Sequence, residues 1–147
     1  MIQRLQTIFF FLSSISILVI IKKYPVLQEI EFSGLDQEYI RYFFLYDDYE
    51  AHFKGFKILK SILFISAGLS FFGIFQYRNL QRQKIIAMIA RFLITLVLVL
   101  LVFVFRNEEQ EISIGTFLLA IPFVLLICAN IFLKKDEKLI SSADRIR

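Results

Sequence analysis

The chain has 147 residues, the size of one domain. Hydrophobic residues make up 58% of it, 18 of them Phe, against roughly 45–50% in an ordinary soluble domain. A net charge of +4, a mean hydropathy of +0.68 and one cysteine complete a composition that excludes a soluble single-core enzyme, a disordered tail and a disulfide-stapled module.

The charges are segregated. All 13 acids fall within residues 29–50, 108–111 and 136–144. Uncharged runs cover 5–21, 61–77, 92–105 and 112–133. A bilayer core requires about 20 mostly apolar residues in a helix. The first, second and fourth runs satisfy this directly. The third does so when extended back to residue 85, which takes Arg91 into the span. The expectation is an all-α fold of four transmembrane helices near 3–21, 58–77, 85–105 and 114–133. Backbone groups in hydrocarbon have no outside partners, so only helices or closed barrels cross it. The run 92–102, FLITLVLVLLV, lacks the alternation of a barrel strand.

The first apolar stretch is followed by Lys22-Lys23-Tyr24-Pro25, without a small-x-small cleavage site, so an uncleaved anchor is expected. The loop 22–57 comes next and holds five of the six Tyr. Residues 26–32 alternate loosely and suit a short strand. Residues 36–53 suit a surface helix capped by Asp36. Aromatic rings favour the membrane–water boundary, so this loop is expected to fold onto the rim of the helices or to dock a partner. Asp48 and His52 within it would share a helix face. Consecutive acids and a single His read as a solvated face rather than a metal site.

In the second helix Ser66, Ser70 and Gly73 form a small-residue stripe, as Ser13 and Ser16 do in the first; such stripes let helices approach closely. The connection 76–84 carries three bases and no acid. Arg91 lies seven residues beyond Lys84, about 10 Å along a helix, so its guanidinium can reach the interface, with Asn130 as a polar neighbour. No acid lies in the four spans, which weighs against proton- or cation-coupled transport. Pro122 is placed to kink the fourth helix, and Cys128 reads as a small hydrophobe. The tail 134–147 continues that helix, with Leu139, Ile140, Ala143 and Ile146 as an apolar stripe.

With both termini in the cytoplasm, the inner side carries 10 bases and 3 acids and the outer side 7 bases and 10 acids. This is the distribution that the positive-inside rule favours, although Lys22-Lys23 run against it. The expected place is a bacterial inner membrane. The basic rim is not read as a nucleic-acid site, because no soluble basic domain carries one.

The two chain ends carry a resemblance. Residues 2–7 (IQRLQT), 78–81 (RNLQ), Ala129-Asn130, 134–140 (KKDEKLI) and 142–147 (SADRIR) resemble the small four-span bacterial membrane proteins grouped as domain-of-unknown-function family 4293. Ile131 and Ser141 stand where that family often has a basic residue. The resemblance implies the fold and topology and assigns no reaction.

Its motif residues share the cytosolic face in this topology. Gln3, Arg4, Gln6, Arg78, Gln81, Asp136, Glu137, Asp144 and Arg145 are therefore the candidate interaction cluster, with Arg91 and Asn130 as intramembrane polar groups. The expectation is a non-enzymatic accessory or interaction subunit without a cofactor. Its partners are membrane lipid and a protein docked at the cytosolic face or outer loop. A small transporter or channel component is the alternative.

Overall fold

A computed structural model describes residues 3–33, 37–45, 54–76, 79–103 and 110–144. Among the described residues, four helices are long and apolar enough to cross a membrane. The helix α1 spans Gln3–Lys23, α2 Lys54–Phe75 and α3 Leu80–Phe103. The fourth span is divided into α4, Ile114–Leu118, and α5, Ala120–Asp144. Pro122 explains the division. It has no N–H for the carbonyl of Leu118, and its ring crowds that carbonyl, so it is tolerated in the first turn of a new helix. Leu119 closes α4 in a turn, donating to the carbonyls of Gly115 and Thr116. The chain is thus a multi-pass membrane protein.

The helices form a closed ring in which α1 packs on α2, α2 on α3, α3 on α5 and α5 on α1. Each buries a seam at alternating spacings of three and four residues. In α1 the seam is Gln6, Phe10, Ser13, Ile17 and Ile20, and in α2 it is Leu59, Leu63, Ser66, Ser70 and Gly73. In α3 it is Gln83, Ala87, Ala90, Ile94, Val97 and Leu101, and in α5 it is Pro122, Leu126, Ala129, Leu133 and Asp136. A 3–4 repeat keeps one stripe facing the bundle axis, as in a left-handed four-helix bundle. The outer faces carry Ile8, Phe11, Phe64, Phe72, Phe92, Phe117 and Val124, a lipid-facing composition.

Short side chains let the backbones approach. Ser14 donates to the carbonyl of Ala67 at 3.1 Å, Ser66 to that of Ala90 at 3.1 Å, and Ser13 to that of Pro122 at 3.3 Å. A Cβ on Gly73 would come within 2.9 Å of the Phe10 ring.

A small sheet of order β2-β1-β3 accompanies the bundle. The strands are β1 (Pro25–Ser33), β2 (Gln37–Phe44) and β3 (Gln110–Ile112), and both pairings are antiparallel. The expected strand over 26–32 thus lies within β1. The expected surface helix over 36–53 is corrected, because residues 37–44 are extended and pair with β1 from Ser33↔Gln37 to Pro25↔Phe44. Ile40 and the aromatic Tyr39, Tyr42, Phe43 and Phe44 favour a pleated surface, and pairing satisfies the backbone of β1. The Asp48 and His52 pair lies outside the described residues.

The sheet is fastened to the bundle through β1 and α4. Val26 and Leu27 are fully buried. The Val26 carbonyl accepts from the Ser113 N–H at 3.1 Å and the Thr116 hydroxyl at 2.6 Å. A Cβ on Gly115 would lie 2.3 Å from the Pro25 carbonyl oxygen, so only glycine fits against this strand.

Candidate functional site

At the opposite end of the bundle, the start of α1, the end of α2, the start of α3 and the end of α5 meet. The connection from α2 to α3 is organised by local hydrogen bonds. Asn79 caps α3, its Oδ1 accepting from the Arg82 N–H at 3.2 Å. The Gly73 carbonyl, near the end of α2, accepts from the Gln76 N–H at 3.3 Å and from Gln83 Nε2 at 2.9 Å.

Across the bundle, the Gln6 side-chain amide donates to Asp136 Oδ2. One step outward on α3 and α5, Lys84 pairs with Glu137. These contacts set Gln6, Gly73, Gln83 and Asp136 in one interior layer, one from each helix. Gln6 and Gln83 are 1% exposed and Asp136 is 6% exposed, whereas the Lys84 and Glu137 side chains are 23% and 43% exposed. Burying a carboxylate is costly, and a charge-assisted bond offsets part of that cost. Two acceptors in the layer, Gln83 Oε1 and Asp136 Oδ1, are buried and receive no hydrogen bond from the described residues.

The sequence-derived cluster is distributed as follows. Gln6 and Asp136 are brought together in the interior. Glu137 sits at the rim and is held by Lys84, which sequence reading left out of the cluster. Gln81 is exposed on the first turn of α3. Gln3, Arg4 and Asp144 belong to α1 and α5, with side chains outside the described ones, and Arg78 and Arg145 lie outside the described residues. Asp136, read as part of a tail, is interior because α5 continues past Leu133 without changing its inward face. Gln83 was missed, although its position four residues before Ala87 extends the small-residue seam of α3 to a polar member.

Arg91 is half-buried, and its Nε donates to the carbonyl of Ala87 at 3.3 Å, one turn toward the polar end. A helical side chain leans toward its N-terminus, which is the direction of this bond. Asn130 is half-buried and its Oδ1 accepts no hydrogen bond, so Arg91 does not donate to that oxygen. Cys128 is a half-buried free thiol on α5. Of the expected stripes, Ser13, Ser66 and Ser70 are buried, while Ser16 bonds back to the Leu12 carbonyl at 2.7 Å.

A comparison with curated proteins gives no match. The model of the family described as Domain of unknown function (DUF4293) matches residues 2–146, and the chain belongs to that family.

Proposed function

We propose that this family member is a non-enzymatic accessory subunit of a bacterial inner membrane. Both chain ends face the cytoplasm, and the polar end of the bundle docks a protein partner. The observation that supports the reading is the filled bundle axis. Phe10, Ile17, Leu63, Ile94, Leu126 and Leu133 are fully buried along it. A filled axis supplies rigid placement of the helix ends and the sheet. The orientation follows from the basic connection 76–84 and the Lys/Arg excess at the same end.

Affinity purification from mild detergent tests the reading. The expected result is a stoichiometric partner that is lost when exposed Gln81 and Arg82 are both changed to Glu at unchanged folded yield. Recovery of the protein alone, or of the same partner with the double variant, removes the docking role.

One observation favours the transporter or channel component as a second reading. Asp136 places a carboxylate inside the bundle, and intramembrane acids mark ion and proton pathways. Ion flux in proteoliposomes that disappears in Asp136→Asn would favour that reading over the first.

A further inference from the structure

We propose that the groove between the start of α1 and the C-terminal half of α5 binds one anionic diacyl phospholipid. This rests on the reading that the polar end of the bundle lies at the headgroup level of a membrane.

The groove has a volume of about 460 Å³ and is lined by Leu5 of α1 and by Phe132, Lys135, Lys138, Leu139 and Ser142 of α5. Its floor is fixed, because the Phe132 ring stacks on Phe9 of α1 with centroids 5.4 Å apart and planes 16° apart. Lys135 Nζ lies 5.5 Å from the Phe132 centroid, a cation–π distance that holds the ammonium at the groove. Lys138 follows one turn later on the same face. Leu5, Phe132 and Leu139 form an apolar wall for an acyl chain, and the two ammonium groups beside it suit a phosphate diester.

The neighbouring acids do not cancel this charge. Asp136 turns inward to Gln6, and Glu137 is engaged by Lys84 across α3. Among its described lining residues the groove therefore shows two positive charges and no negative one. At the other end, a groove of about 430 Å³ is lined by Ile15, Leu18, Val19, Lys22 and Lys23. All five belong to α1, so among the described residues it has two lysines but no second helical wall, and it serves as an internal control.

The test uses the full chain in mild detergent with phosphatidylglycerol or phosphatidylcholine of matched acyl chains. Bound lipid is counted by native mass spectrometry. Two lysines at a membrane surface predict a preference for phosphatidylglycerol of roughly thirtyfold. The preference is expected to vanish in K135Q/K138Q and to survive in K22Q/K23Q. Equal retention of the two lipids by the wild type overturns the proposal, as does a preference that persists in K135Q/K138Q. Should that variant not fold, the wild type decides. The preference must weaken between about 0.1 M and about 0.5 M salt, and a salt-insensitive preference overturns it. Inorganic phosphate must not displace the lipid; displacement would make this a free-anion site and overturn the proposal. Sedimentation separates the two readings. Protein that pellets with membranes yet shows no preference sinks only this inference, whereas protein absent from the pellet sinks the membrane placement beneath it.

Discussion

Gln6 and Asp136 stand 130 residues apart in the chain and are joined by a hydrogen bond in the interior of the bundle. The bond ties the first turn of α1 to the ninth residue from the end of α5, where that helix has run beyond its most apolar part. It makes the two ends of the chain parts of one packed layer.

Removing one partner of this bond is expected to cost more than the bond itself contributes. Asp136→Ala would strand the buried Gln6 amide, and leaving a buried donor unsatisfied costs about 1–3 kcal/mol. The double variant Gln6→Ala, Asp136→Ala is expected to lose less than the sum of the two singles. Chemical denaturation in mixed micelles measures all three, and additive losses would argue against a direct bond.

The Lys84–Glu137 pair is expected to behave differently. Both side chains are partly solvated, and pairs of that kind are worth about 0–1 kcal/mol. Lys84→Ala should shift stability by less than Asp136→Ala, and the shift should shrink as salt is raised. A larger loss for Lys84→Ala would invert the order of burial described for this end.

Three glycines provide a graded test of packing. A Cβ at Gly68 meets nothing within 4 Å, at Gly73 it meets the movable Phe10 ring, and at Gly115 it meets the Pro25 backbone. Gly68→Ala is expected to be neutral or to gain up to about 1 kcal/mol from helix propensity. Gly73→Ala should cost about 1 kcal/mol as Phe10 shifts, and Gly115→Ala more, of the order of 1–3 kcal/mol, because strand backbone cannot yield. Melting temperatures in detergent rank the three.

The orientation is open to direct measurement. With Cys128→Ser as background, single cysteines at the exposed positions Arg82 and Lys135 are expected to resist a membrane-impermeant thiol reagent in intact cells, and one at exposed Lys23 to react. The opposite pattern would reverse the proposed topology.

The interhelical serines are expected to contribute little individually. Ser14→Ala and Ser66→Ala each remove one interhelical bond of 3.1 Å, and such bonds average about 0.6 kcal/mol in membranes. Denaturation midpoints check this. Ser66→Leu should be far more disruptive, since the site faces Ala90 across a close helix contact.

The amino-acid sequence by itself determined that four stretches are long and apolar enough to cross a membrane. The cost of placing Asp, Glu, Lys or Arg in hydrocarbon is local, and a charge-free run of sufficient length expresses it directly. It also carried the membership of the family. It did not determine which face of each helix turns inward. In a soluble bundle, apolar spacing reports that face. Here Phe11 and Phe72 outside are as apolar as Phe10 and Leu63 inside, because lipid and core make the same demand. The small and polar residues at 3–4 spacing held the answer, but their meaning depends on partners from other helices. Tertiary structure alone decided that Asp136 is interior, that Lys84 rather than a motif residue holds Glu137, and that residues 37–44 form a strand. Each of these outcomes depends on a group supplied from far along the chain, and no local preference encodes it.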